Sequence, residues 1–254
     1  MRIAAIYDIH ANSTALEAVI DEIKKRKVDR IVVGGDVVAG PSPLETLTLL
    51  RNITIPIDFI LGNAESELLK HIAGKDVEEL TETADEVTHW LAKQMTTEHK
   101  QFLSSWIPTL EIQTDTWGQV LFCHGSPRSN TEIFTRLTPG KKLASIFGHI
   151  STSMVVCGHT HMQFKITSGS ISIINAGSVG MPYSRTGAEW LLLDDEIHFM
   201  HTDYDISKAA ELIRKTNYPQ AEEFVMNNVL NTPSEEEALE VFSQMERNQT
   251  VLEA

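Results

Sequence analysis

The chain has 254 residues, with 21 basic against 35 acidic side chains, a formal charge of −14, and 42% hydrophobic and 22% charged residues. That is an ordinary water-soluble globular composition, long enough to close a core without staples, and it excludes disorder, collagen and coiled coil. No apolar run approaches the roughly 18 residues that span a bilayer, the apolar stretch of MRIAAIYDIH is too short for a signal peptide, and the acidic balance opposes extended nucleic acid.

The first 62 residues alternate β-branched runs (Ile3 to Tyr7, Ile31 to Val33, Ile57 to Leu61) with stretches of helical spacing, a βαβαβ pattern. Leu16, Val19, Ile20 and Ile23 line one face of the first helix, and Thr14 with Glu17 three residues on reads as its capping box. Ser42, Pro43 and Glu45 read as the cap, first position and reciprocal acid of the second. From Glu65 to Trp106 the spacing is helical throughout, an inserted region whose aromatic and Met side chains pack on a sheet.

Seven short strand-like runs follow: Leu110 to Gln113, Val120 to Cys123, Met154 to Cys157, Gln163 to Ile166, Ile171 to Ile174, Trp190 to Leu193 and Ile197 to His201. Turn residues at 168–170 and 194–196 make hairpins of the later pairs, and together the runs predict a second, mixed sheet. Cys123 and Cys157 lie in apolar runs, as reduced core thiols of a cytoplasmic protein do. From Asp205 the pattern is helical again, broken at Pro219 and Pro233. The last 23 residues carry Glu235, Glu236, Glu237, Glu240, Glu246 and Glu253 against Arg247, which predicts a solvated helix or frayed end. The expected division is a main domain over 1–205, with its helical insertion at about 65–106, and a helical extension with an acidic tail over 206–254.

Parallel strands joined by crossover helices place functional loops at their carboxyl ends. Here those ends read Asp8-Ile9-His10, Gly35-Asp36, Gly62-Asn63, His124-Gly125 and Gly158-His159-Thr160-His161. Each segment alone has a bland reading as a cap or a satisfied polar residue. Together, seven ligand-type residues (Asp8, His10, Asp36, Asn63, His124, His159, His161) converge on one sheet edge, the mixture of carboxylates and imidazoles that holds divalent transition metals. Two cations about 3.5 to 4 Å apart with one shared carboxylate suit phosphate chemistry.

The order DxH, GD, GN, H and GHTH resembles the calcineurin-like metallophosphoesterase superfamily, over residues 1 to about 205. FCHGSPRSNTEIF, VVCGHTHMQF, INAGSVGMP and the stretch from Tyr204 to Val229 are similar to its small bacterial branch of phosphodiesterases and diadenosine-tetraphosphatase-like proteins. The resemblance implies a four-layer αββα sandwich: two mixed β-sheets face to face, flanked by helices. It implies two divalent transition-metal ions (Mn, Fe or Zn), the first held by Asp8, His10, Asp36 and His161 and the second by Asp36, Asn63, His124 and His159. Asp36 would be the bridging, catalytically essential ligand, and a metal-bound hydroxide the nucleophile on a small phosphate ester or phosphodiester, such as a nucleotide or dinucleoside polyphosphate. Many relatives place a histidine after the asparagine to protonate the leaving group; this chain has Ala64, which has no proton to give. Ala11, where relatives often have glycine, adds a methyl group of little expected consequence. The alternative is a catalytically silent metal-binding scaffold or interaction protein that keeps the fold.

Four further residues are candidate substrate contacts. Arg128 suits a phosphate fork, or else a surface salt bridge. Asn12 suits a phosphate hydrogen bond, or else the cap of the first helix. Tyr183 and Arg185 lie in a loop where a substrate's second moiety would rest, or else are simply exposed. His71, His89, His99, His149, His198 and His201 match no motif and read as structural or surface residues.

Overall fold

The computed structural model describes residues 1–75 and 81–252. In chain order the elements are β1 (Ile3–Ile6), α1 (Ser13–Lys25), β2 (Arg30–Val33), α2 (Pro43–Arg51), β3 (Ile57–Phe59), α3 (Asn63–Ile72), α4 (Glu82–Gln94) and α5 (Thr97–Ser104). Then come β4 (Thr109–Thr114), β5 (Gly118–Cys123), α6 (Gly140–Phe147), β6 (Met154–Cys157), β7 (Gln163–Ser168), β8 (Ile171–Ala176), β9 (Ala188–Leu193) and β10 (Ile197–Thr202). The chain ends in α7 (Ile206–Arg214), α8 (Ala221–Phe224), a π-helical turn (Val225–Val229) and α9 (Glu235–Leu252). The helical reading of 76–80 and the acid at Glu253 fall outside the described residues.

The strands form two mixed five-stranded sheets, ordered β10-β9-β1-β2-β3 and β4-β5-β6-β8-β7. β1, β2 and β3 pair in parallel, as do β5, β6 and β8, while β9 and β10 and the outer β4 and β7 pair antiparallel. Side-chain alternation builds the layers. Ile3 and Ala5 of β1, Val120 and Phe122 of β5, and Met154 and Val156 of β6 meet between the sheets. Their neighbours point outward: Ala4 and Ile6 meet Leu16, Val19 and Ile23 of α1, while Leu121, Cys123, Val155 and Cys157 meet Leu143 and Phe147 of α6. This is the αββα sandwich, with both thiols as buried hydrophobes on the face of the second sheet that meets its helix layer. No helix among the described residues is long and apolar enough to cross a membrane.

Four expectations need correction. β9 and β10 do not join the second sheet; β9 pairs with β1, extending the first. All six residues of β9 are buried, so the strand must be covered on both faces and paired on both edges, and the free edge of β1 provides that place. The cap of α1 is Asn12, whose Oδ1 accepts from Ala15 N at 3.2 Å, rather than Thr14. At α2, Ser42 holds the cap position without a side-chain bond, and Glu45 instead accepts from Ser13 Oγ at 3.2 Å, tying α2 to α1.

The fourth correction concerns the acidic tail. α9 is an integral layer: Ala238 and Leu239 are buried with Leu143, Phe147 and Phe164 on the outer face of the second sheet, and Phe242 packs beside them. Glu246 is buried too, accepting from Thr138 Oγ1 at 3.0 Å with Lys142 Nζ at 3.5 Å. Charge count concealed a narrow apolar stripe at i, i+1 and i+4 between exposed acids. Leu239→Ala should therefore cost about 2–4 kcal/mol in denaturant unfolding, as buried leucines do. A cost below about 0.5 kcal/mol, the surface norm, would return α9 to solvent.

Candidate metal centre

Five of the seven residues singled out as ligands sit in left-handed backbone: Asp8 (φ 52°), His10 (45°), Asp36 (52°), His159 (67°) and His161 (56°). Such conformations cost on the order of 1–3 kcal/mol each and persist only where surrounding bonds over-determine them. Here they turn the chain sharply as it leaves each strand, so that successive side chains aim at one point. The turns are laced together by backbone bonds: Asp8 N donates to Gly35 O (3.1 Å), His10 N to Asp36 O (2.9 Å) and Ala11 N to Val37 O (2.8 Å). Ala11 is itself buried at φ 49°, so its methyl group carries a backbone strain that glycine would not, contrary to the expectation of little consequence.

All seven residues come together. Asp8, His10 and His161 form one set and Asp36, His124 and His159 another, one ligand atom from each lying within 4.8 Å of the others in its set. Asp36 stands between the sets, with Oδ2 3.9 Å from His10 Nε2 and Oδ1 3.5 Å from His124 Nε2. One atom of the Asn63 carboxamide lies 3.0 Å from both His124 Nε2 and His159 Nδ1 and 3.3 Å from Asp36 Oδ2. Turned nitrogen-inward, that amide satisfies three acceptors; turned oxygen-inward, it completes a set of cation ligands.

The donor chemistry fits metal. His10, His124 and His161 each place Nδ1 against a backbone carbonyl, of Ala39 (3.1 Å), Gly34 (2.8 Å) and Met181 (3.0 Å). Donation there fixes the tautomer and presents a bare Nε2 inward, as in metal-ligating imidazoles. His10 Nε2 and His161 Nε2 consequently face each other at 3.2 Å. Two lone pairs at that distance repel unless a positive charge joins them. Asp8 Oδ1 is buried without a hydrogen-bond partner, although His159 N holds the other oxygen at 2.8 Å.

Electrostatics point the same way. Burial pushes the Asp8 carboxyl up, but His161, and then His124 and His10, hold it well below the usual carboxylate range. Burial, and then the charge of His124, push His159 down to about 4, so it is neutral at pH 7 with a free lone pair.

The residues read as substrate contacts are placed less uniformly. Asn12 is committed to its helix: besides capping α1, its Nδ2 donates to Gly180 O (3.3 Å) and Tyr204 Oη (3.1 Å). Arg128 is forked on Glu132, with Nε 2.9 Å from Oε2 and Nη2 on Oε1. Tyr183 stacks on His161, ring centroids 6.0 Å apart and 29° between planes, and touches Phe242 of α9 on another side. Arg185 has a largely exposed side chain, with Nε 3.9 Å from Glu189.

Sequence reasoning missed Glu65. This wholly buried carboxylate, at the third position of α3, accepts from four backbone amides: Asp36 (2.9 Å) and Gly62 (3.2 Å) on Oε2, Val37 (2.8 Å) and Val38 (3.1 Å) on Oε1. Burial and the neighbouring charge of Asp36 push its pKa up to about 7, while the four donors match only the anion. Glu65 thus locks the Asp36 turn to the start of α3, which carries Asn63. Gly62 allows the contact, since a Cβ there would fall 2.2 Å from Asp36 Oδ1. The available signal was an acid three residues after Gly62, the reciprocal half of a capping box. Asn175, near the end of β8, and Ser178, just beyond it, brace the other side: Asn175 Nδ2 donates to Gly158 O (2.6 Å) and Ser178 Oγ to Asp8 O (2.7 Å).

Two facing mixed sheets with a cluster of carboxylates and imidazoles at the strand ends define a metallophosphoesterase fold. The chain belongs to the calcineurin-like phosphoesterase superfamily, whose domain model matches residues 1–198. It is similar to the metallophosphoesterase of Sphaerobacter thermophilus, at 28% identity and a TM-score of 0.71 over 89% of this chain and 97% of that one. The uncharacterized protein MJ0912 of Methanocaldococcus jannaschii is 29% identical over 239 residues, 86% of this chain and 94% of its own length. Hypothetical protein PH1004 of Pyrococcus horikoshii shares the fold at 18% identity, with a TM-score of 0.76 over 89% of this chain and 96% of its own.

Glu65→Gln directs an amide NH₂ at backbone donors. We expect it to destabilise the metal-free protein by about 2–3 kcal/mol in denaturant unfolding, as for a buried group that loses its partners. A change below about 0.5 kcal/mol would show that the four bonds contribute nothing.

Proposed function

We propose that this chain is a cytoplasmic phosphoesterase that uses two divalent cations (Mn, Fe or Zn) to hydrolyse a small phosphate ester or phosphodiester, such as a nucleotide or dinucleoside polyphosphate. The observation that carries the reading is the pair of donor sets meeting at Asp36, with imidazole lone pairs facing one another across unpartnered space. Asp8, His10, Asp36 and His161 would hold one cation, and Asp36, Asn63, His124 and His159 the other. Bound there, the cations supply Lewis-acid charge and an acidified water for in-line attack at phosphorus.

The chain's own part is positional. The carbonyls of Ala39, Gly34 and Met181 orient three imidazoles, and Glu65 sets the angle between Asp36 and Asn63. Asn63 adds a ligand without adding negative charge. Ala64 N donates to Asp36 Oδ1 at 2.9 Å, steadying the bridging carboxylate, while its side chain has no proton for a leaving group. Tyr183, against His161, and Arg185, two residues on, border the second moiety of the substrate on this reading. Arg128 is held by Glu132 and serves a phosphate only by leaving that partner. The net charge of −14 disfavours polymeric nucleic acid as substrate.

The test is turnover of activated phosphodiesters by the metal-loaded protein. Asp36→Asn should abolish it and lower metal content, because an amide supplies neither the charge nor a second anionic oxygen. Full activity with two metals retained would remove Asp36 from the bridging role, and no turnover by the metal-replete wild type would favour the silent scaffold.

Ala64 leads to a second expectation. The rate should depend steeply on leaving-group acidity, and Ala64→His should raise activity on poor leaving groups more than on activated ones, by at most about 10²- to 10⁴-fold. A flat dependence with chemistry limiting the rate would mean that another group already supplies the proton.

A further inference from the structure

The helical insertion holds a second concentration of metal-type side chains, apart from the strand ends. His71 lies in the last turn of α3, and Asp85 and His89 lie one turn apart on α4. The two imidazole rings meet edge to face with centroids 4.5 Å apart. One ligand atom from each of the three residues lies within 4.8 Å of the other two. We infer that His71, Asp85 and His89 form a divalent transition-metal site that joins α3 to α4, separate from the centre at Asp36.

Residues four apart on a helix project from the same face, so Asp85 and His89 address one point from α4 while His71 addresses it from α3. Among the described residues, none of the three side chains has a hydrogen-bonding or ion-pairing partner, and the ring contact between His71 and His89 leaves their nitrogens free to bind. Two imidazoles and one carboxylate form a borderline donor set, which selects zinc, cobalt, nickel or copper over magnesium or calcium. Donor atoms about 2.0–2.1 Å from a tetrahedral zinc stand roughly 3.4 Å apart. The three donor atoms, all within 4.8 Å of one another, reach that spacing by side-chain rotations of about 1 Å, which are open to Asp85 and His89 because both are exposed. Three protein ligands leave the fourth position to water.

The location gives such a site a consequence. His71 lies eight residues beyond Asn63 on the same helix, about 12 Å along its axis at 1.5 Å per residue. An ion at His71 is thus too far away to belong to the Asp36 centre, yet it would brace the helix whose first turn carries Asn63. Neither the family match nor the proposed hydrolysis requires this set.

Zinc bound per chain after equilibrium dialysis decides the matter, measured by elemental analysis on the full-length wild type, His89→Ala and Asp85→Ala. Exposure of both residues keeps the fold intact in the variants, and circular dichroism checks it. The predicted result is one zinc fewer per chain in each variant, with turnover of an activated phosphodiester unchanged. The same one-ion difference should separate Asp36→Asn from Asp36→Asn/His89→Ala, so the result stands whether or not the Asp36 centre fills. Zinc contents equal to the parent's in either background would overturn the proposal.

Discussion

The structure depends on an arrangement of charge that is unfavourable by itself. Four imidazoles and two carboxylates, largely withdrawn from water, converge within a few ångströms, with two imidazole nitrogens facing each other at 3.2 Å and a carboxylate oxygen left without a partner. Buried polar groups without partners each cost on the order of 1–3 kcal/mol, and charged ones more. Positive charge is what the cluster lacks, and the two cations proposed for it would supply that charge.

Everything around the cluster serves to keep it from relaxing. The left-handed turns at Asp8, His10, Asp36, His159 and His161 are pinned by backbone bonds between neighbouring strand ends, by Glu65 from one side and by Asn175 and Ser178 from the other. Those braces stand on the sandwich itself. Close packing of Val120, Phe122 and Val156 against Ile3 and Ala5 sets the two sheets in register, so that β1 and β2 from one and β5 and β6 from the other end at the same level. The strain is local and its support is the whole fold.

Much of this was legible in the sequence, for physical reasons. Alternation in β1, β5 and β6 and the 3.6-residue spacing of α1 are one-dimensional records of which face is buried, and the ligand types stood just after the strands. What stayed hidden was non-local. Nothing in Ala188–Leu193 states that its antiparallel partner is β1, nearly the whole chain away, except that a run buried on both faces belongs inside a sheet. Glu65 looked like an ordinary helix-start acid because its partners, the amides of Asp36, Val37 and Val38, belong to another strand end. Arg128 invited a phosphate in sequence, while Glu132, four residues on, occupies its fork in the structure. The tail misled through charge count, since three buried or half-buried apolar side chains decide where α9 lies and its exposed acids do not.

On the proposed reading, Asp36 is shared by two cations held by its flanking imidazole sets. Electron paramagnetic resonance of the full-length protein loaded with Mn²⁺ tests it directly. Two manganese ions bridged by one carboxylate at about 3.5–4 Å give an exchange-coupled spectrum, which the account predicts for the wild type and expects to vanish in Asp36→Asn. A wild-type spectrum at full metal loading showing only the six lines of isolated Mn²⁺ would contradict it.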